Sequence, residues 1–90
     1  MTDPKQTIAI NLKKARSLIG KIMQMTEDGV YCVDIMQQNL AVIGLLRSVD
    51  RMFMKNHLNT CFRKAMETSN EKRKREMTEE IINIMKLSDK

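Results

Sequence analysis

The segment KNHLNTC contains two residues of this sequence that are suited to bind a transition metal together. His57 and Cys61 stand four residues apart, and the whole chain has one histidine and two cysteines. On a helix, side chains at this spacing lie on one face with Cβ atoms about 5–6 Å apart, so an imidazole nitrogen and a thiolate can bind one ion. A third donor is needed to complete such a site.

The other cysteine, Cys32, cannot supply that donor from within one continuous helix. It lies 29 positions before Cys61, or roughly 43 Å away at about 1.5 Å per residue. An antiparallel second copy, crossing near Leu46 and Arg47, would bring Cys32 of one chain beside Cys61 of the other. Two thiolates and one imidazole form a soft, three-coordinate set typical of Cu(I), whereas zinc usually takes four ligands. The alternative is that the pair occupies ordinary core or surface positions.

Length and composition predict the kind of chain that must position these donors. Ninety residues with 42% apolar and 3% aromatic content predict a single all-α domain over residues 1–90, close to the size at which a partner copy adds needed stability. A net charge of +5 favours a polyanionic partner such as nucleic acid. Without a signal peptide or membrane span, we expect a cytoplasmic protein with free thiols. None of the nine methionines is assigned as a ligand, and those near the apolar stripes are predicted to fill the core: Met23, Met36, Met54, Met66 and Met85.

The first helix has recognisable start and stop signals. Asp3 and Pro4 predict its N-cap and first residue, with Gln6 as the capping-box partner. The TEDG segment at 26–29 predicts its end. The expected apolar stripe consists of Ile8, Leu12, Ala15, Leu18, Ile19, Ile22 and Met25.

A second, long helix is predicted from Tyr31 to about Glu67, because this range contains no proline and one glycine, Gly44. The polar segment 67–76 is predicted as a loop or frayed helix end, with Thr78 capping a short last helix. The apolar stripe expected on the second helix consists of Met36, Leu40, Ile43, Leu46, Phe53, His57, Cys61 and Ala65.

The segments YCVDIMQQNLAVIGLL and NHLNTC resemble the copper-sensing operon repressors, the CsoR/RcnR-type metal-sensitive transcriptional repressors. The similarity runs from about Leu12 to Ile84. It implies a three-helix protomer, an antiparallel dimer built on the second helix, and a dimer-of-dimers homotetramer that binds operator DNA when free of ligand. It also implies that Cu(I) binds Cys32 of one protomer with His57 and Cys61 of its neighbour, and that copper then releases the DNA.

The same resemblance implies residues that do not bind the metal but contact the residues that do. Tyr31 matches a family tyrosine beside the first ligand, and Glu80 is the best match for a glutamate of the last helix. Because the connection before that helix is about three residues longer here, Glu79 or Glu76 could take its place. Such a partner would orient the His57 ring and tie the last helix to metal occupancy.

Basic side chains of the first two helices are the predicted DNA contacts. The first helix matches where the family places such contacts. In the second helix a family arginine falls at Ser48, with Arg47 directly before it and Arg51 three residues after it. No helix-turn-helix or zinc-finger pattern is present, so sequence readout would depend on DNA shape. The run Lys72–Arg75 is expected to be a solvated charged face. The predicted contacts are Lys13, Lys14, Arg16, Lys21, Arg47 and Arg51.

Two other functions compete with copper sensing. A sulfane-sulfur sensor of the same family would bridge Cys32 and Cys61 covalently. A helical scaffold or copper buffer would have no role on DNA. Catalysis is not expected, since neither a Ser-His-Asp set nor a glycine-rich phosphate loop is present. A copper chaperone is a candidate donor of the metal.

Overall fold

The computed structural model describes residues 3–88, and each element in this range is a helix. The second element continues without a break through a π-helical segment into the third, which leaves three separate helical stretches. The predicted all-α, three-helix protomer is therefore confirmed. The elements are α1 (Pro4–Glu27), α2 (Cys32–His57), the π-helical segment Leu58–Phe62, α3 (Arg63–Met66) and α4 (Glu71–Ser88).

Helix α1 begins and ends where the sequence signals place it. The carboxylate of Asp3 accepts a hydrogen bond from the backbone N–H of Lys5 at 3.0 Å, and Pro4 is the first helical residue. The helix ends at Glu27. Gly29 follows with a φ of 67°, in the left-handed region that glycine enters at little cost. This turn separates α1 from α2.

Residues 3–54 belong to one compact unit, in which two contacts show that α1 and α2 run in antiparallel directions. The Nδ2 atom of Asn11 donates a weak hydrogen bond to the sulfur of Met52 at 4.0 Å, and Leu18 lines a surface pocket with Leu45. Residues later in α1 therefore lie beside residues earlier in α2. The most buried side chains of this unit are Ile8, Ala15, Val42 and Val49.

Helix α2 has apolar side chains on two faces, and the predicted stripe is not the one that packs against α1. The side chains of Leu40 and Phe53 remain 65% and 52% exposed. A second stripe with spacings of three and four, offset by one residue, is less exposed: Val42 and Val49 are buried and its other members are half-buried. It consists of Ile35, Gln38, Val42, Leu45, Val49 and Met52. A helix with two apolar faces can contact α1 with one and another molecule with the other.

The predicted stripe of α1 is correct in part. Ile8 and Ala15 are buried, whereas Leu12 and Ile19 lie on the exposed side at 41% and 45% exposure. The polar residue Asn11 is half-buried on the face that packs against α2, because its side-chain amide donates a hydrogen bond to the Met52 sulfur. A rule that admits only apolar residues to the core misses such a position.

Residues from Lys55 onward form a second compact unit, in which α3 contacts α4. Its most buried side chains are Ala65 and Met77. The prediction of one domain over residues 1–90 is not decided by this division and stays a prediction. No helix among residues 3–88 has both the length and the apolar character needed to cross a membrane.

The predicted start of the last helix was wrong. Helix α4 begins at Glu71, and only Glu67–Asn70 connect it to α3. The side-chain oxygen of Asn70 accepts the N–H of Arg73 at 3.2 Å, so Asn70 caps the helix. Thr78 lies inside α4 and donates its hydroxyl to the carbonyl of Lys74. Glutamate, lysine and arginine are good helix formers, and a run of them need not be a loop.

The π-helical segment Leu58–Phe62 was not predicted. The hydroxyl of Thr60 donates to the carbonyl of Asn56 at 2.7 Å, a side-chain contact of the kind that perturbs helix geometry. Short π-helical turns occur inside α-helices and are frequent at functional sites. This one contains Cys61 and begins directly after His57.

Candidate metal centre

His57 and Cys61 lie on neighbouring turns of one uninterrupted helical stretch. His57 is the last residue of α2 and is half-buried, and Cys61 is in the π-helical segment with an exposed, free thiol. Helical Cα–Cβ bonds tilt toward the N-terminus, so the Cys61 side chain leans back toward the turn that holds His57. Both donors can therefore face one ion from the same side of the helix.

The Cys61 thiol opens into a shallow pocket on the protein surface. Two cationic side chains, Arg63 and Lys64, line this pocket together with Glu67, Asn59 and Thr60. The Nε atom of Arg63 lies 3.6 Å from a carboxylate oxygen of Glu67. A soft ion or a small anionic sulfur compound can thus reach Cys61 from solvent.

Cys32 is the first residue of α2, and its thiol is free and exposed. Tyr31 precedes it, and the Tyr31 carbonyl accepts the N–H groups of Asp34 and Ile35 at 3.0 and 3.3 Å. The Tyr31 side chain is 62% exposed. Both the thiol and the phenol are therefore available to a second molecule.

The donors do not all meet within one chain. Over residues 3–88, no group of three or more His, Cys, Asp or Glu side chains is close enough to hold a metal ion. The structure brings His57 and Cys61 to adjacent turns, and it places Cys32 at the opposite end of α2. Two thiols and an imidazole suit a soft ion by their chemistry, but the set is incomplete in a single copy.

The glutamates of α4 differ in their partners. Glu76 lies 3.7 Å from Arg73 in an ion pair. For Glu79 and the exposed Glu80, the described part of the chain shows no ion pair. Glu80 thus keeps a carboxylate that another group can use.

The six predicted DNA contacts are exposed, and none of them forms an ion pair with another residue in the range 3–88. Lys13 and Lys14 line the pocket between α1 and α2 that also includes Leu18 and Leu45. Ser48 is half-buried, and Arg47 next to it is exposed. These cations are free to contact phosphates.

An all-α protein with exposed thiols, one imidazole and unpaired basic side chains fits the class of small, helical, ligand-responsive regulators. The model of the metal-sensitive transcriptional repressor family matches residues 4–87. Since this match covers nearly the whole chain, the protein belongs to that family.

Individual relatives agree with this assignment. The copper-sensing transcriptional repressor CsoR of Mycobacterium ulcerans (strain Agy99) is 41% identical over 66 residues, which are 73% of this chain and 56% of that protein. The copper-sensing transcriptional repressor RicR of Mycobacterium tuberculosis (strain ATCC 25618 / H37Rv) is 32% identical over 65 residues, covering 72% of this chain and 68% of that protein. The chain thus spans little more than half the length of the CsoR relatives that it matches.

A solved structure shares the fold. The copper-sensing repressor CsoR with Cu(I) from Geobacillus thermodenitrificans NG80-2 has a TM-score of 0.84 and 27% sequence identity, with 100% of this chain and 92% of that chain covered. The resemblance seen in the sequence is confirmed by the family match, the relatives and this structure.

Proposed function

We propose that this protein is a transcriptional repressor that binds operator DNA when free of ligand and leaves it when Cu(I) binds between two copies of the chain. The placement of the donors supports this most directly. One pair, His57 and Cys61, lies on adjacent turns near the end of α2, and the third donor, Cys32, is at its start. One chain cannot close this set, and two antiparallel chains can.

The exposed apolar face of α2 supports the association of two copies. Leu40 and Phe53 lie on this face, and neither is covered within its own protomer. Two α2 helices that cross near Leu46 and Arg47 would bury these side chains against each other. Two-fold symmetry then gives two equivalent metal sites per dimer. Two such dimers would form the homotetramer.

Bound Cu(I) supplies a soft Lewis acid that two thiolates and an imidazole can hold together. Cys32 would bind the ion from the start of one α2 helix. His57 and Cys61 would bind it from the end of the α2 stretch in the other copy. Tyr31 and Glu80 act by positioning the imidazole rather than by binding the metal. Because the π-helical segment containing Cys61 leads into α3, and α3 contacts α4, a change at Cys61 can reach α4.

The basic side chains of α1 and α2 form the proposed DNA surface. Lys13, Lys14, Arg16 and Lys21 lie along α1, and Arg47 and Arg51 lie on α2. Phosphate contacts give affinity and a strong salt dependence without reading the bases. A regulator of this kind works in the cytoplasm, and a copper chaperone is a candidate source of its metal.

The first prediction concerns the coupling between copper and DNA. We expect Cu(I) to weaken operator binding by roughly 5- to 150-fold, the usual range for coupled sites, and DNA to weaken Cu(I) binding by the same factor. In His57→Ala, which lacks the imidazole donor, the copper effect should be lost while binding of the ligand-free protein to DNA remains. Fluorescence anisotropy with a fragment of the protein's own promoter region measures both values.

The matched control is Glu67→Gln, a change beside the Cys61 pocket that leaves all three proposed donors in place. This variant should respond to Cu(I) as the wild type does. An operator affinity that does not change when copper is added to the wild type would refute the proposal. Absence of DNA binding altogether would favour the scaffold or copper-buffer function.

The second prediction tests the DNA surface. Replacing Lys13 and Lys14 with glutamine should lower operator affinity and reduce the slope of log K against log salt by about one to two, since each lost phosphate contact removes roughly one unit. The control is the double change of Lys72 and Arg75 to glutamine in α4, which alters the charge equally. If the α4 variant lost more affinity than the α1 variant, the assigned surface would be wrong.

A sulfane-sulfur sensor is the second candidate, because both thiols are free and exposed and two cations lie beside Cys61. One thiolate would take the outer sulfur of a persulfide, releasing a thiol. The second thiolate would then attack the inner sulfur of that new persulfide, forming a disulfide and releasing hydrosulfide. Mass spectrometry after persulfide treatment would show a covalent dimer joined through Cys32 and Cys61. Cu(I) leaves no such bond.

A further inference from the structure

We infer, on the basis of the function proposed above, that Met36 is an additional soft donor to the Cu(I) site, contributed by the same copy as Cys32. Met36 follows Cys32 by four residues within α2, which is the spacing that separates His57 from Cys61. Each copy would therefore supply one pair of donors from one end of its long helix, and a thioether sulfur would complete the set.

The helix brings the Met36 sulfur within reach of Cys32. Side chains four residues apart on an α-helix have Cβ atoms about 5–6 Å apart. Because helical side chains lean toward the N-terminus, Met36 extends over the turn that holds Cys32. Its unbranched side chain has several rotatable bonds, so the sulfur can settle beside the thiolate without a change in the backbone.

The antiparallel register of the proposed dimer also brings Met36 to the other donors. A crossing near Leu46 and Arg47 pairs Cys32 with the partner's Cys61. In the same register Met36 pairs with the partner's His57, because these two residues are equally distant from the crossing. Met36 is therefore opposite the imidazole of the neighbouring copy and beside the thiolate of its own.

The packing of one protomer does not use Met36. Its side chain is 58% exposed, whereas the neighbouring Ile35 is half-buried on the α1 side of the helix. The prediction that methionines fill the core is wrong for Met36, Met23 and Met85, whose side chains are exposed. Met54 and Met66, the other methionines of that prediction, are half-buried. Of the three exposed residues, Met36 is the one that shares a helix face with a proposed ligand.

A thioether favours Cu(I) over the metals that compete with it. It is soft and uncharged, and such ligands select Cu(I), while Zn²⁺ is bound by thiolate, imidazole and carboxylate. Adding Met36 to the two thiolates and one imidazole gives a four-donor set that still has only two negative charges. Met36 would thus determine metal specificity as well as affinity.

The test replaces Met36 with leucine, which keeps a similar apolar volume and removes the sulfur. We expect Met36→Leu to bind Cu(I) about tenfold more weakly, as measured by competition with bicinchoninate, and to bind Zn²⁺ as the wild type does. Met23→Leu is the control, because Met23 is similarly exposed at 65% but lies on α1. It should change neither affinity. Unchanged Cu(I) affinity in Met36→Leu would overturn the inference.

A second measurement detects the atoms bound to copper directly. In selenomethionine-labelled wild-type protein loaded with Cu(I), copper-edge X-ray absorption should show selenium next to copper, and Met36→Leu should remove this signal. Copper with sulfur and nitrogen neighbours but no selenium would refute the role of Met36 and leave the proposed three-donor site standing. If Cys32→Ala bound Cu(I) as tightly as the wild type, the proposed site itself would fail.

Discussion

Two variants that have each lost Cu(I) binding are expected to regain it when they are mixed. One carries Cys32→Ala, and the other carries His57→Ala together with Cys61→Ala. A mixed dimer has two sites. One site contains Cys32 from the second variant with His57 and Cys61 from the first, so it is complete. The other site lacks all three donors. With random exchange of subunits half of the dimers are mixed, and about a quarter of the wild-type sites should return.

This expectation follows from the separation of the donors along α2. The structure places Cys32 at the start of the helix and His57 at its end, so each variant keeps the half of the site that the other lacks. Titration of Cu(I) against a chromophoric chelator under reducing conditions, before and after subunit exchange, gives the number of sites per chain.

The control mixture combines His57→Ala with Cys61→Ala. Both changes affect the same half of the site, so neither site of a mixed dimer has all three donors. No tight binding should return. If this mixture recovered as many sites as the first, donors would not be shared between copies in the proposed way. Full binding by either variant alone would contradict the ligand set itself.

The candidate ligand pair could be predicted from the sequence because its geometry is local. Spacing along one helix places His57 and Cys61 on adjacent turns, although the π-helical segment Leu58–Phe62, which contains Cys61, was not predicted. The distance of Cys32 from them also follows from helical rise. The partner that would bring Cys32 to them is not local. Helix geometry showed that an antiparallel second copy would suffice, but only the resemblance implied that such a dimer forms.

The choice between the two faces of α2 could not be made from periodicity. Val42 belongs to the buried stripe and Ile43 to the exposed one, and both stripes have the same spacing. Burial depends on which residues of α1 come opposite, and Asn11 with Met52 helps to set that register. Tertiary packing therefore determines which face of α2 is buried, and the helical pattern alone does not.

The errors near the C-terminus have a different cause. The segment 71–76 is strongly charged, and charge suggested a loop, but ion pairs such as Lys74 with Glu71 at 3.5 Å lie along its helical surface. Asn70 supplied the cap in place of Thr78. For the π-helical segment, Asn59 and Thr60 are modest helix formers, yet no sequence rule distinguishes a π-helical turn from an α-helical one here.

The exposed face of α2 provides the other test with a large expected effect. Leu40→Glu should convert the assembled protein to monomers, because the carboxylate would have to be buried in an apolar interface between copies. Leu40 is 65% exposed in one protomer, so the change should leave the helices of each copy intact. Analytical ultracentrifugation measures the mass, and far-UV circular dichroism confirms that the chain is still helical.

Loss of assembly should remove both proposed functions at once, since in the proposed assembly the metal site and the tetrameric DNA surface each need more than one copy of the chain. Leu87→Glu is the matched control: Leu87 is 62% exposed, lies near the end of α4 and is not one of the residues of the exposed α2 face. This variant should still associate through α2 and bind Cu(I). A Leu40→Glu protein that is monomeric and helical, yet binds Cu(I) as tightly as the wild type, would show that one chain gathers its own donors and that the intersubunit site does not exist.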